Sequence, residues 1–408
     1  MTMREDITPP DNTISRLHGL IRWPGDCHWG DGALKRALQS ASRRLKRPLI
    51  VTDRMVWQAA GPLVQSALSS LEGAGWVLYD GVMPNPTLAQ VREALEKSRS
   101  HGCDSLIAVG GGSTIDVTKV VMAGMASGLS IEELQGTHGQ AWLDAAAEST
   151  DPMFVAVPTT SGTGSESSSA ALIQNDDGRK RVFRSLRTRP SIVALQPDLT
   201  LSLPMRPTAQ GGFDALLHAL GAWVNTEPSP IGKATALQAL RLGLTAFPKV
   251  LKEPGNLHAR ADMQMSSYLA GVAIGMCKVD AIHGMCTPLE ARVHMAHAEV
   301  LAPLFGVVAR YTVQTHPEQY AQAARSLQVS NIGDDLRDAQ AIIARIESLA
   351  ELGGIATAFA DLRLDEQGAA QLATQALQSA STPLNPRPLS AAELQSLYLK
   401  LAIPGVPQ

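Results

Sequence analysis

With 408 residues, 45% of them hydrophobic and 18% charged, the chain has room for two domains with sizeable cores and is far from a disordered composition. A net charge of −3 gives no reason to expect a nucleic-acid or membrane-surface partner. Four cysteines (Cys27, Cys103, Cys277 and Cys286) without Cys-x-x-Cys spacing read as reduced thiols in a cytoplasmic protein. The opening Met1 to Asp6 lacks the apolar core of a signal peptide, and runs such as Val120 to Ala126 are too short to span a bilayer.

In chain order, residues 1–25 read as a polar arm leading to an edge strand near Leu20 to Trp23. A helix is expected from Gly32 to Arg44, followed by the β-branched strand Leu49 to Thr52, which ends in Asp53. Trp76 to Tyr79 and Leu106 to Val109 are further strands, with an amphipathic helix from Thr87 to His101 between them. Phe154 to Val157 and Ile192 to Leu195 add two more. Strands alternating with helices in this way predict parallel β-α-β units. The basic run from Arg179 to Arg189 reads either as a solvated loop or strand or as a patch for an anionic partner. From Thr208 onward the pattern is helical: Ala234 to Leu244, Ala259 to Gly275, Pro317 to Leu327, Leu336 to Leu352 and Ala391 to Ala402. The fold expected is therefore an α/β domain over residues 1–204 and an all-α domain over 205–408.

Three stretches carry chemistry. Gly110, Gly111 and Gly112 follow a strand and lead through Ser113 and Asp116 into a helix, a turn that lets backbone N–H groups approach a pyrophosphate. The hydroxyl-rich stretch Pro158 to Glu166, with Thr159, Thr160, Thr163 and Ser165, follows the next strand and suits phosphate, ribose or carboxamide, or is simply a capped turn. In the helical half, Asp214 and His218 stand one turn apart on a helix, and His283 and His297 follow later. One carboxylate and three imidazoles form a donor set for a divalent ion, while each of them alone also reads as a satisfied core residue. Asp53 is placed either to accept hydrogen bonds from ribose hydroxyls or to cap a helix.

These motifs resemble the iron-containing (group III) alcohol dehydrogenases. Gly110 to Lys119 is similar to that family's Gly-Gly-Gly-Ser-x-x-Asp-x-x-Lys element, and Pro158 to Glu166 to its Pro-Thr-Thr-x-Gly-Thr-Gly-Ser-Glu signature. The Asp214–His218 block and the stretch from Ala270 through His283 to His297 are similar to its two metal blocks. The resemblance implies a dinucleotide-binding α/β domain with an all-helical metal-binding domain. It implies NAD(H) on Asp53, Asn85, Gly111, Gly112, Ser113, Asp116, Thr159, Thr160, Thr163 and Ser165. It also implies one divalent metal, Fe(II) ahead of Zn(II), on Asp214, His218, His283 and His297. The implied reaction is hydride transfer between a small alcohol and its aldehyde or ketone, in a homodimer or larger homo-oligomer. Maleylacetate reductases share the same motifs. The dehydroquinate synthase group is a weaker match, because its metal residues do not follow the Asp-x-x-x-His spacing. Where relatives often carry a second histidine near the nicotinamide, this chain has Thr287, so Thr287 or His294 is expected to assist the proton. Arg292 is expected either to bind an anionic substrate group or to point outward and pair with Glu290 or another surface acid.

Overall fold

The computed structural model describes residues 23–402 except 72–74, 146–147, 149, 177, 179 and 294. Six parallel strands form one sheet in the order β1-β8-β5-β4-β2-β3. They are β1 (Asp26–Trp29), β2 (Pro48–Thr52), β3 (Val77–Tyr79), β4 (Ser105–Gly110), β5 (Met153–Pro158) and β8 (Ile192–Leu195). The central strands are apolar throughout because both of their faces are covered. Leu49, Val51, Leu106, Ala108, Phe154 and Ala156 face one buried cluster. Their neighbours Ile50, Ile107, Val109, Val155 and Val157 face the other. Around the sheet run α1 (Ala33–Ala41), α2 (Arg54–Ser69), α3 (Leu88–Ser100), α4 (Gly112–Ser127), α5 (Ile131–Leu134) and α6 (Thr137–Asp144).

From β2 the chain steps outward to β3 and then returns to the other side of β2 as β4, so the strand order reverses between β2 and β4. In an open parallel sheet the carboxyl ends at such a reversal border a crevice that suits a ligand. Asp53 and the glycine turn after β4 lie on its two sides. The expected strand near Leu20 falls, from Leu20 to Arg22, outside the described residues; the first described strand is β1 at Asp26–Trp29. β1 is an edge strand held only by β8, and its polar sequence carries no apolar run to mark it.

An antiparallel hairpin, β6 (Ala170–Gln174) and β7 (Lys180–Arg184), was not expected from the sequence and carries Lys180, Arg181 and Arg184 of the basic run. Within that run Arg187 is buried against Asp151, Arg181 donates to Gln135 and Lys180 to Glu290, so these three are engaged within the protein.

The chain becomes helical at α7 (Met205–Val224) and continues through α8 (Pro230–Lys252), α9 (Leu257–Cys277), α10 (Ala281–Val293), α11 (His297–Val313), α12 (Glu318–Ser326), α13 (Asp335–Leu352), α14 (Glu366–Leu377) and α15 (Ala391–Leu401). α7 is buried on every side from Gly212 to Val224 and forms the axis of a third core. Each fully buried leucine there, such as Leu216 and Leu220, contributes about 2 kcal/mol. The hydroxyl-rich loop after β5 lies between the sheet and these helices. A Cβ on Gly162 would sit 2.7 Å from Gly211 Cα of α7, and one on Gly164 2.5 Å from Gly271 Cα of α9. Gly164 also has φ +61, so glycine is required there by both conformation and space.

Candidate active site

Asp214 and His218 leave one side of α7 a turn apart, His283 comes from the first turn of α10, and His297 opens α11. The three Nε2 atoms converge on Asp214 Oδ1, at 3.6 Å for His218, 3.9 Å for His283 and 3.8 Å for His297. The His218 and His283 rings stack 4.8 Å apart. These separations exceed hydrogen-bond length, and Asp214 Oδ1 and His283 Nε2 are buried atoms with no hydrogen-bond partner. Donors around an ion bonded at about 2.1 Å stand roughly 3.4 Å apart in a tetrahedron, a few tenths of an ångström closer than here. Four facing donors at that spacing, two of them buried without a partner, fit a divalent ion.

The electrostatics agree. Burial pushes the Asp214 carboxyl up, but the surrounding imidazoles of His218, His297 and His283 more than offset this and hold it well below the usual range. Burial brings His218 down to about 4, against the pull of Asp214, which keeps its imidazole neutral and able to donate a lone pair. Burial also opposes a charge on His297, yet contacts with Cys286, Glu290 and Asp214 raise it well above its ordinary value.

Two carboxylates stand behind the histidines. Asp280 Oδ1 lies 3.9 Å from His283 Nδ1, and Glu290 Oε2 lies 3.0 Å from His297 Nδ1. The other oxygen of Glu290 accepts from Lys180 of β7 at 2.6 Å. Nothing in the spacing of the sequence marks Lys180, 110 positions away, as a partner of Glu290.

On the sheet side, the glycine turn and the hydroxyl-rich loop pack against each other. A Cβ on Gly111 would meet Thr160 Cγ2 at 3.0 Å, and one on Gly112 would meet Thr163 Cγ2 at 2.7 Å. Gly111 precedes α4 in extended conformation, so the first amides of that helix, including that of Ser113, are free of intrahelical partners. Thr159 Oγ1 is buried with no partner. Asp116 and Ser165 are bound within the protein: Asp116 accepts from Ser165 Oγ at 2.5 Å and from Leu172 N at 2.8 Å. Lys119 joins them, donating to Ser165 Oγ at 2.7 Å and to Ala170 O at 2.6 Å. Asp53 caps α2, its Oδ1 accepting from Val56 N at 2.8 Å. Asn85 holds a left-handed φ of 54 just before α3.

The expected substrate residues divide. Thr287 is exposed on α10, one turn from His283 and on the same side. His294 lies outside the described residues. Arg292 follows His283 by nine residues, half a turn round the helix at about 100° per residue. Its Nη1 lies 3.3 Å from where a Cβ on Gly368 would be, beside the Asp365 cap of α14. The structure thus places Arg292 away from the expected substrate side and exposed, and the partners found on Glu290 are Lys180 and His297.

Comparison with known proteins places the chain among relatives of one fold. The family model described as "Iron-containing alcohol dehydrogenase" matches residues 24–197, and "Fe-containing alcohol dehydrogenase family, C-terminal" matches residues 208–402. The 1,3-propanediol dehydrogenase of Citrobacter freundii is 32% identical over 86% of this chain and 90% of its own. A crystal structure of 1,3-propanediol oxidoreductase superposes with a TM-score of 0.85 at 28% identity, covering 94% of this chain and 100% of that one. Sulfoacetaldehyde reductase from Bifidobacterium kashiwanohense, solved with NAD+, gives a TM-score of 0.82 at 25% identity, covering 95% and 100%. Both halves of the chain thus point the same way: it belongs to the iron-containing alcohol dehydrogenase family, NAD-dependent oxidoreductases that interconvert alcohols and aldehydes.

Proposed function

We propose that Asp214, His218, His283 and His297 hold one divalent ion, Fe(II) in preference to Zn(II), and that NAD(H) lies across the carboxyl ends of β2, β4 and β5. The observation that carries this reading is the buried convergence of four donors, two of whose facing atoms lack any partner. Catalytic zinc commonly takes three protein ligands and keeps a fourth position open. Four protein ligands plus a substrate oxygen exceed a tetrahedron, which favours an ion that accepts five or six donors. When bound, the ion supplies Lewis acidity toward a carbonyl oxygen and the dinucleotide supplies the hydride.

The protein's own groups orient the reactants. Backbone amides of Gly111, Gly112 and Ser113 at the start of α4 are free to receive the diphosphate. Thr159, Thr160 and Thr163 flank the nicotinamide end, and Asn85 the adenine side. Asp53 Oδ2 receives the ribose hydroxyls while Oδ1 remains with Val56. Asp116 and Ser165 act at one remove, by fixing the loop on which the threonines stand. Thr287, with His294 beyond it in sequence, passes the proton to water. With Arg292 turned toward α14, no cation from that position meets an anionic group, and we take the substrates to be short neutral alcohols and carbonyl compounds. The domain boundary near residue 204, a homodimer or larger homo-oligomer, a cytoplasmic location and the absence of a nucleic-acid or membrane partner complete the proposal. Among the described residues, no single helix is long and apolar enough to cross a membrane.

The test is elemental analysis of the purified protein combined with NADH oxidation by small aldehydes and ketones. Turnover should vanish on chelation and return with added Fe(II). Full turnover without any metal would refute the reading.

A further inference from the structure

Among the four donors, His297 is the one least held by its surroundings. His218 and His283 sit within helical turns with side chains 11% and 9% exposed, whereas the His297 side chain is 38% exposed. It is also the first residue of α11, whose N-cap Ala296 provides no side-chain hydrogen bond. A ring in that position has no preceding helical turn to confine it. Two side chains meet its Nδ1, Cys286 Sγ at 3.5 Å and, more closely, Glu290 Oε2 at 3.0 Å. An ionised carboxylate only accepts, so the 3.0 Å contact from Glu290 Oε2 requires Nδ1 to carry the hydrogen, leaving the Nε2 lone pair facing Asp214. Glu290 is itself fixed by Lys180, which reaches 2.6 Å from the hairpin of the α/β part. The Glu290 side chain is 12% exposed and that of Lys180 33%, so the carboxylate end of the pair is the better shielded from solvent.

We propose that Glu290 is a positioning residue that sets the ring orientation and tautomer of His297, and that Lys180 makes this positioning depend on the β6–β7 hairpin being seated against α10. The inference rests on the reading of His297 as a metal ligand. Carboxylates behind metal-bound histidines act in this way in general, and their loss weakens metal binding by about 10–100-fold. The particular feature here is that the second anchor comes from the other half of the molecule.

The test uses the full-length protein with Co(II) as probe, following its visible absorption and its dissociation constant by chelator competition. Glu290→Ala should weaken Co(II) binding by about 10–100-fold and change the Co(II) spectrum, while NADH binding followed by fluorescence stays as in the unmodified protein. Glu290→Gln, which keeps an accepting oxygen, should recover part of the affinity, and it carries the test if the alanine variant does not fold. Lys180→Met should give a smaller loss of Co(II) affinity, and Lys180→Arg should restore it. If the unmodified protein binds no metal, both this inference and the metal reading fall. If the unmodified protein binds Co(II) and both Glu290 variants bind it equally tightly with the same spectrum, this inference alone falls.

Discussion

Replacing Lys119 by methionine tests whether the cofactor-side loops are held by buried charge. The Lys119 side chain is 1% exposed, and its Nζ donates to Ser165 Oγ, Ala170 O and Ser168 Oγ at 2.7, 2.6 and 3.2 Å, with Asp116 Oδ1 at 3.6 Å. Methionine fills similar volume but leaves Asp116 with an unpaired buried carboxylate. Removing one partner of a buried pair costs about 3–5 kcal/mol. Burial already pushes the Lys119 ammonium down and the Asp116 carboxyl up, each toward neutrality. Asp116 can therefore take up a proton in the variant, which places the cost near the lower end, about 3 kcal/mol. At roughly 2–4 °C per kcal/mol for a domain of this size, the melting transition should fall by about 6–12 °C. Urea unfolding followed by circular dichroism measures the cost, and NADH fluorescence reports whether the loop carrying Thr159 and Thr160 loosens with it. The double variant Lys119→Met, Asp116→Leu removes both charges and should recover most of the loss. A single-variant cost below about 1 kcal/mol, or a double variant as costly as the two singles added, would refute the reasoning.

His283→Ala removes one of four donors and should abolish both bound metal and turnover with the helical circular dichroism unchanged; full turnover by the metal-free variant would contradict the ligand assignment. Asp53→Gly should narrow the preference for NADH over NADPH by about tenfold in kcat/KM, because it removes an anion next to the 2′-phosphate, while glycine at a helix N-cap costs only a few tenths of a kcal/mol. Equal use of both cofactors by the unmodified protein would show that Asp53 is elsewhere. Burial raises Glu166 from 4.5 to about 7, so the folded state keeps a proton that the unfolded chain releases. Its contribution to stability is full below about pH 4.5 and is lost as the pH rises through 7. Glu166→Gln should therefore flatten the fall in unfolding free energy between those values, and an unchanged pH profile would count against it.

The parallel sheet was legible because strands covered on both faces must be apolar throughout, as Leu49 to Thr52 and Leu106 to Val109 are. The glycine turn and the hydroxyl-rich loop were legible because close backbone approach demands glycine, and Gly111 and Gly112 indeed face Thr160 and Thr163. The hairpin was missed because its strands are covered on one side only, with alternating burial in β6 and β7, and the basic residues on the open side dominate the pattern. Asn175 to Gly178 between two alternating segments was the available turn signal. The orientation of Arg292 follows from counting nine residues round α10, but only once the helix is known to continue past Pro288. The Lys180–Glu290 pair joins two segments brought together by the fold alone, and neither residue advertises it.

The contact of Gly162 with Gly211, and of Gly164 with Gly271, has a mechanical consequence. Main chain resting on main chain leaves no side chains to slide or re-pack, so the two halves cannot part along that line without tearing the core. Any breathing of the cleft must turn about it like a door on its jamb. Lys180 and Glu290 join the two halves through side chains alone, at 2.6 Å. Movement that admits a dinucleotide would therefore be felt first at His297, and hardly at all at Asp214 and His218, which stand on the same helix as Gly211.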